Sequence, residues 1–368
     1  MSITQQKFDY IRLARSKNIG SINFFRLLDI CKTPKQALEE IIDSQHKNFN
    51  QNIKLASVEE VEKEIQDSEK FSAKIITFFD DEYPFLLKEI ADPPPVISVK
   101  GDLELLKEQN NIAIVGARNA SLNGMSFTNK IAHDLGAHNV KIVSGMAHGI
   151  DKSAHEYSLK SGTIAVIAGG IDNIYPKENR NLYHKISEMG LLISEQPFGS
   201  SPLARNFIRR NRIISGLSQG VVVMEAGVRS GSLATANFAA NQGRQVFAVP
   251  GAPYNHRSMG CNKLIKEGAK IVENVNDILE EIQFVNNDAD KSFKTKMSEN
   301  ESSVQPVENI SEYQNKILSI LDFDGVDIDY IVTQTKIAPE TVKSSLMELE
   351  IMQKIYSNNG KISLKSSS

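Results

Sequence analysis

Seven short runs decide the fold: IAIVG (112–116), KIVSG (141–145), TIAVIAGG (163–170), LLISE (191–195), GVVVMEAG (220–227), QVFAVPG (245–251) and KIVEN (270–274). Apolar, β-branched runs without polar alternation are the pattern of strands buried on both faces. Between them, stretches such as 149–161, 177–190, 205–217, 230–242 and 258–268 suit helices. Strand and helix in repeated alternation predict a parallel α/β sheet with right-handed crossovers. Most of the runs end in Gly or another small residue, where a tight turn or a close ligand needs no Cβ. An open sheet of this kind takes its ligands beyond the carboxyl ends of its strands.

Working outward, residues 1–70 read as a small helical domain, from the apolar spacing in FDYIRLARSKNIGSINFFRLLDI and PKQALEEII. KIITFFDDEYPFLLKEI and the turn at Pro93–Pro94–Pro95 lead into the sheet domain, 71–283, with VISVKG (96–101) as an edge or extra strand. Residues 284–310 are polar and charged, too poor in apolar surface to fold alone, and read as a flexible linker. The segment 311–368 has the order helix, helix, Pro-started helix, two strands, which is that of a winged helix. Pro339 suits the first turn of the third helix, and Asn358–Asn359–Gly360 suits the hairpin.

The 368 residues are 40% hydrophobic and 24% charged, which excludes a collagen-like, mucin-like or wholly disordered chain. Lys and Arg total 42 against 45 acids, a net charge of −3, so a nucleic-acid role has to rest on a local basic patch. Two cysteines, Cys31 and Cys261, exclude a disulfide framework and a zinc site, and no metal or cofactor is expected. No run of about 18 apolar residues occurs, so no membrane insertion is expected. The opening MSITQQKFDYIRLARSKNIG has no apolar signal core, and a cytoplasmic location is expected.

Several motifs bear on chemistry. In VSGMAHGIDKSAH, Gly145 and Gly149 bracket a turn into a helix whose first N–H groups suit an anion. Neither G-x-G-x-x-G nor a P-loop is present. His148, Asp151 and His155 do not have zinc spacing; Asp151 is expected to bond the first-turn N–H groups, and His155 to pack. Gly216–Leu217–Ser218–Gln219–Gly220 fits G-x-S-x-G, but a helix precedes it and a strand follows, the reverse of a nucleophile elbow. In GSSPLARNFIRRNRIIS (199–215), four arginines fall within eight positions, with Arg205, Arg209 and Arg212 on one helical face. Arg suits phosphate because its planar fork donates two hydrogen bonds at once. Arg118, after the first strand, and Lys177 would point into the same crevice, whereas the alternative for the arginine run is a solvated face. Ser230, Gly231 and Ser232 open a second phosphate-friendly turn, or simply cap their helix. Phe207 and Tyr175 can each stack a base or join the core.

IAIVGARNAS, VSGMAHGIDKSAH, TIAVIAGGIDNIYPKEN, LLISEQPFG, RRNRIISGLSQGVVVMEAGVRSGSLATA, GRQVFAVPG and GCNKLIKEGA occur in that order. In this series the chain resembles the DNA-processing protein A family (DprA, also called Smf), densely over 112–274. The EYPFLLKEIADPPPVISVKG stretch and the terminal winged helix also fit, and the first helices resemble the sterile-alpha-motif or helix-hairpin-helix module found there. The resemblance implies an extended Rossmann core, a homodimer and single-stranded DNA as ligand. It further implies protection of that DNA from nucleases and loading of the RecA recombinase during natural transformation, with no enzymatic activity. Residue by residue, it places DNA contacts at Arg118 (G-x-R), Lys177 (YPK) and Arg210, Asn211 and Arg212 (R-N-R), and dimer contacts at Leu264 and Ile271. This chain has Asn206–Phe207–Ile208 where many members have H-F-P.

Two other classes stand beside this one. A nucleoside-monophosphate phosphoribohydrolase would use Glu225 catalytically and Arg210 or Arg212 for phosphate, but its P-G-G-x-G-T is replaced by EAGVRSGSLAT. A transcriptional regulator would read duplex DNA through the winged helix, which carries few arginines and several acids.

Overall fold

The apolar runs assemble into one sheet because each is flanked on both faces by helices that need the same cover. In the computed structural model, the described residues are 3–43, 53–282, 312–321, 325–339, 354–358, 361–364 and scattered positions in 341–349. They form two compact units, Met1–Val285 and Asn286–Ser368.

In the first unit the strands are β1 (Lys74–Thr77), β2 (Val96–Gly101), β3 (Asn111–Val115), β4 (Lys141–Ser144) and β5 (Thr163–Gly170). β6 (Leu191–Gln196), β7 (Gly220–Val223), β8 (Gln245–Ala248) and β9 (Lys270–Ile271) follow. Their spatial order is β1-β2-β6-β5-β4-β3-β7-β8-β9. From β6 to β9 all neighbours are parallel, while β1 and β2 pair antiparallel at one side. VISVKG is therefore an extra strand but not the edge, since β1 covers it.

Alternation along the strands feeds two cores. Ile112 and Ile114 meet Ile131, Leu135, Ile150 and Ala154 on one face. Ala113 and Val115 meet Ile213, Ile214, Ala236 and Leu264 on the other. Each fully buried Ile contributes about 1.5–3 kcal/mol relative to exposure. These contacts come from α6 (Leu122–Ala137) and α7 (Ile150–Ser158) on one side, and α9 (Ala204–Gly216), α10 (Gly231–Asn241) and α11 (Met259–Lys266) on the other. A helix of 16 residues, α6, fills the interval between the first two expected strands.

The amino-terminal part is α1 (Gln5–Arg15), α2 (Ser21–Cys31), α3 (Pro34–Asp43) and α4 (Val58–Lys70). Ser57 and Glu60 close a capping box on α4, which fixes where that helix starts. Leu13, Phe24, Leu27 and Leu38 form its own core. Ile11 and Val61 pack against Ile75 and Val96, so the helices belong to the same compact unit as the sheet.

In the second unit, α13 (Glu312–Leu318) and α14 (Ile328–Thr335) precede a helical stretch that Pro339 opens. β10 (Val326–Asp327), β11 (Ile355–Asn358) and β12 (Lys361–Leu364) form a sheet of order β10-β12-β11. This is a winged helix around Ile317, Ile331, Val342, Leu349 and Ile362. The 284–310 segment and the Asn359–Gly360 step lie outside the described residues. Among the described residues no helix is long and apolar enough to cross a membrane, and no group of three His, Cys, Asp or Glu could hold a metal ion.

Candidate nucleic-acid interface

β3 is the first strand of the parallel series, and its successors lie on both sides of it, β4 on one and β7 on the other. A crevice opens at such a switch point, beyond the strand ends. Here it has two lobes, of about 640 Å³ and about 330 Å³, sharing Arg118, Ala147, Tyr175, Phe207 and Arg210.

Arg118 sits exposed in the loop after β3, its guanidinium 5.6 Å from the centre of the Phe207 ring. Phe207 is held edge-on by Tyr175 at 5.3 Å, and Tyr175 is 45% exposed at the lip. Both aromatics thus line the crevice rather than the core. Lys177 follows the cis Tyr175–Pro176 bond in a 3-10 turn, and its side chain enters the smaller lobe. Asn179 ties that turn to the loop after β4, donating to the Met146 carbonyl at 2.8 Å. Among the described residues, no ion pair engages Arg118 or Lys177.

Arg210 reaches the crevice from α9 and is buried, donating to the carbonyls of Gly145 and Val166. Burial pushes its pKa down to about 10; Asp151 opposes that shift and Arg118 adds to it. Gly145 is required by this packing, since a Cβ there would collide with the guanidinium. Gly149 has φ of +70° and lies against the carbonyls of Ala117 and Arg118.

The expectation that Gly145 and Gly149 bracket an open anion site therefore needs correcting. The buried Asp151 carboxylate accepts from the Ala147 N–H at 3.3 Å and also meets the N–H groups of Gly145 and Gly116. Burial raises its pKa, and Arg210 and those amides lower it. The strand end is thus already filled by a side chain of the protein, its pKa raised on balance by burial. His155 packs as expected, its Nδ1 2.7 Å from the Thr163 hydroxyl. Because that hydroxyl donates to the Ile142 carbonyl, the ring is assigned as the neutral Nδ1–H tautomer. Burial, and then Arg210, push its pKa down to about 3.

Ser230, Gly231 and Ser232 line the larger lobe at the start of α10. Ser230 caps the helix, accepting from the Ser232 N–H, so the capping role and the crevice position coincide. Asn211 is fixed alongside, its amide donating to the Gly231 carbonyl at 3.2 Å.

The arginine face of α9 does not point into the crevice, which corrects the expectation for Arg205, Arg209 and Arg212. The helix turns Phe207, Arg210, Asn211 and Ile214 to the crevice instead. Arg212 is 2% exposed, pairing with Glu195 and, through Nε at 3.1 Å, with Asp92. It also reaches Ser21 of α2 at 3.4 Å. Arg209 is half exposed, 3.6 Å from the same Glu195, while Arg205 is exposed and outside the lining. Arg15 joins the cluster, bound by both oxygens of Glu64 and donating to the Glu195 carbonyl at 2.9 Å. Asp92, Glu195 and Ser21 went unnoticed in the sequence, where only the need of a buried arginine for a counter-charge could have pointed to them.

Glu225 is also committed elsewhere. It accepts from the Ser121 hydroxyl at 2.5 Å and amide at 2.9 Å, beside the cap of α6. It does not line the crevice. Of the residues expected at a dimer contact, Leu264 is 7% exposed within the core and only Ile271, on β9, is open at 47%. Burial of Leu264 in the protein's own core is what removes it from a surface role.

The fold and the crevice define an α/β protein with a cationic cleft at its switch point, a helical module on its sheet and a winged helix. A family model described as DNA recombination-mediator protein A matches residues 74–283, a DprA-like N-terminal HHH domain matches 4–66, and a DprA winged helix domain matches 301–361. The chain belongs to this DNA-processing family. The DNA processing protein DprA of Bacillus subtilis is 45% identical over 55% of this chain and 68% of its own length. Protein Smf of Synechocystis is 34% identical over 78% and 79%. The structure of DNA processing protein A from Streptococcus pneumoniae superposes with a TM-score of 0.64 at 34% identity, covering 77% of this chain and all of that one. The one from Helicobacter pylori, determined for its single-stranded DNA binding mode, gives 0.53 at 29%, covering 57% and 97%.

Proposed function

We propose that the chain binds single-stranded DNA in this crevice without reading its sequence, shields it from nucleases and promotes RecA loading in natural transformation and recombination, without catalysis of its own. The observation that carries the reading is the pair of cations, Arg118 and Lys177, without an ion-pair partner among the described residues and converging on one cleft beside Phe207 and Tyr175. Cations of this kind track a sugar-phosphate backbone, and aromatic faces accept any base. The DNA contacts are assigned to Arg118, Lys177 and the opening of α10 at Ser230–Ser232, with Arg210 supplying charge from below. Arg205 and Arg209 are at most peripheral, and Arg212 is a brace. The engagement of Glu225 with Ser121 weighs against a nucleotide-hydrolysing reading. A homodimer through the β9 edge around the exposed Ile271 belongs to the same reading.

The test is fluorescence anisotropy with labelled single-stranded and duplex oligonucleotides of equal length, titrated across salt. Sequence-blind binding that prefers single strands is expected, its log affinity falling by roughly 0.7 per phosphate contact per decade of salt. Absent or duplex-preferring binding overturns the reading.

A further inference from the structure

Past Arg118 the crevice borders a surface that carries Arg229, Tyr254, His256 and Arg257. Three loops meet there: 116–121 after β3, 227–231 after β7 and 249–258 after β8. They are laced together, since Arg257 Nε donates to the Asn119 carbonyl at 2.9 Å and the Ala226 N–H to the Arg257 carbonyl at 2.6 Å. The first loop carries Arg118, and the second runs directly into Ser230 and Gly231 of the larger lobe. The surface is thus continuous with the crevice at two points.

Its composition is one-sided. In a chain with 45 acids among 368 residues, these three segments contain none, while they carry Arg118, Arg229, His256 and Arg257. The nearest carboxylate in sequence, Glu225, is held by Ser121. Arg229, His256 and Arg257 are exposed, and among the described residues no ion pair engages them. Amid them stands Tyr254, 96% exposed. A lone exposed aromatic means little. An exposed aromatic on the same set of laced loops as guanidinium groups that no carboxylate engages among the described residues, beside a cationic cleft, has the makeup of a stacking platform on a single-strand path.

We propose that these loops form a second segment of the DNA track, in which Arg229 and Arg257 hold phosphates and Tyr254 stacks a base, carrying the strand out of the crevice past Arg118. This deepens the reading above and rests on it. The probe is a set of labelled oligothymidylates of increasing length, bound to the full chain. Wild-type affinity should rise with length to a plateau. In Tyr254→Ala the plateau comes at a shorter length, the shortest oligonucleotides bind as before, and the long ones bind about fivefold or more weakly, the loss of one stacked base. Tyr254→Phe restores the wild-type profile. Arg229→Ala with Arg257→Ala lowers the salt slope on long oligonucleotides by about 1.4, two contacts at roughly 0.7 each.

An unchanged plateau in all variants overturns the proposal while leaving the crevice reading intact, provided Arg118→Ala still weakens binding. A shift in oligomeric state by light scattering, with the length dependence unchanged, also overturns it and makes the surface a contact between copies. If the wild-type chain binds none of the oligonucleotides, the reading on which the proposal rests has failed.

Discussion

Arg210 and Arg212 stand two residues apart on α9, and both are buried, at 7% and 2% exposure. Their surroundings separate them. Arg212 is met by the carboxylates of Glu195 and Asp92, so its charge is spent inside the protein, fastening α9 to the helical module through Ser21 and Arg15. Arg210 is met by two carbonyls, which take up Nη1 without cancelling its charge, and Asp151 is the charge that offsets it among the described residues. What an arginine offers a ligand is thus set by the kind of acceptor that holds it, and burial alone does not tell the two cases apart. Arg118, exposed and met by no carboxylate among the described residues, is the third case, its guanidinium resting on the Phe207 ring.

The largest expected effect breaks the brace. Arg212→Ala leaves the largely buried Glu195 with the half-exposed Arg209 in place of its close partner and should lower unfolding stability by about 3 kcal/mol in urea titration. A midpoint like that of the wild type would deny Arg212 its structural role. Arg212→Lys should recover only part, because an ammonium lacks the fork that spans both carboxylates.

Next is acid sensitivity behind Arg210. The folded pKa of His155 is about 3, below its usual 6.5, so the unfolded chain takes up a proton first as pH falls. This contribution to stability is complete above about pH 6.5 and is lost on the way towards 3, by roughly 1.4 kcal/mol per pH unit. Denaturation curves between pH 7 and pH 5 should show the slope. Arg210→Gln removes the lesser of the two causes of the depressed pKa, so the loss of stability should level off at a higher pH when the curves are carried below about pH 5; an unshifted end point would mean the Arg210 charge does not reach that far.

Arg118→Ala inverts the pattern seen for Arg212. Unfolding is unchanged, and single-strand binding falls by about 1.5–3 kcal/mol for every sequence tested, as for the loss of a charged hydrogen bond. Sequence-dependent losses would show that the crevice reads bases. The smallest effect belongs to Arg209, half exposed at 3.6 Å from Glu195. Arg209→Ala should shift stability by no more than about 0.5 kcal/mol, and a larger loss would place Arg209 within the brace.

The centre of the sheet was legible because β3, β5 and β7 are buried on both faces, which writes them as unbroken apolar runs, whereas the expected strand at 270–274 is reduced to the short, exposed β9. Helix starts were legible from local chemistry, as at Ser230 and Pro339. The direction of α9 was not. Spacing places Arg205, Arg209 and Arg212 on one face, but whether that face meets a ligand depends on Glu195 and Asp92, which are brought there by β6 and by the turn before β2. The same holds for Leu264, apolar by sequence and claimed by the core only once α11 is docked. Arg118 was legible because it lies just past the end of β3, a position that in an open sheet brings it to the crevice, while Lys177 is carried there by the longer turn through Tyr175–Pro176 that follows β5.

Asp151 gives the crevice a further property. At the end of β4 an aspartate of the chain fills the amide-lined hollow that in many nucleotide-binding proteins receives a phosphate. A phosphate arriving there meets a carboxyl group in place of open donors. A polymer pays no such toll, since it can lie across the rim on several phosphates at once. On the proposed function, the hollow that its own side chain stoppers disfavours single nucleotides relative to a long strand at this rim.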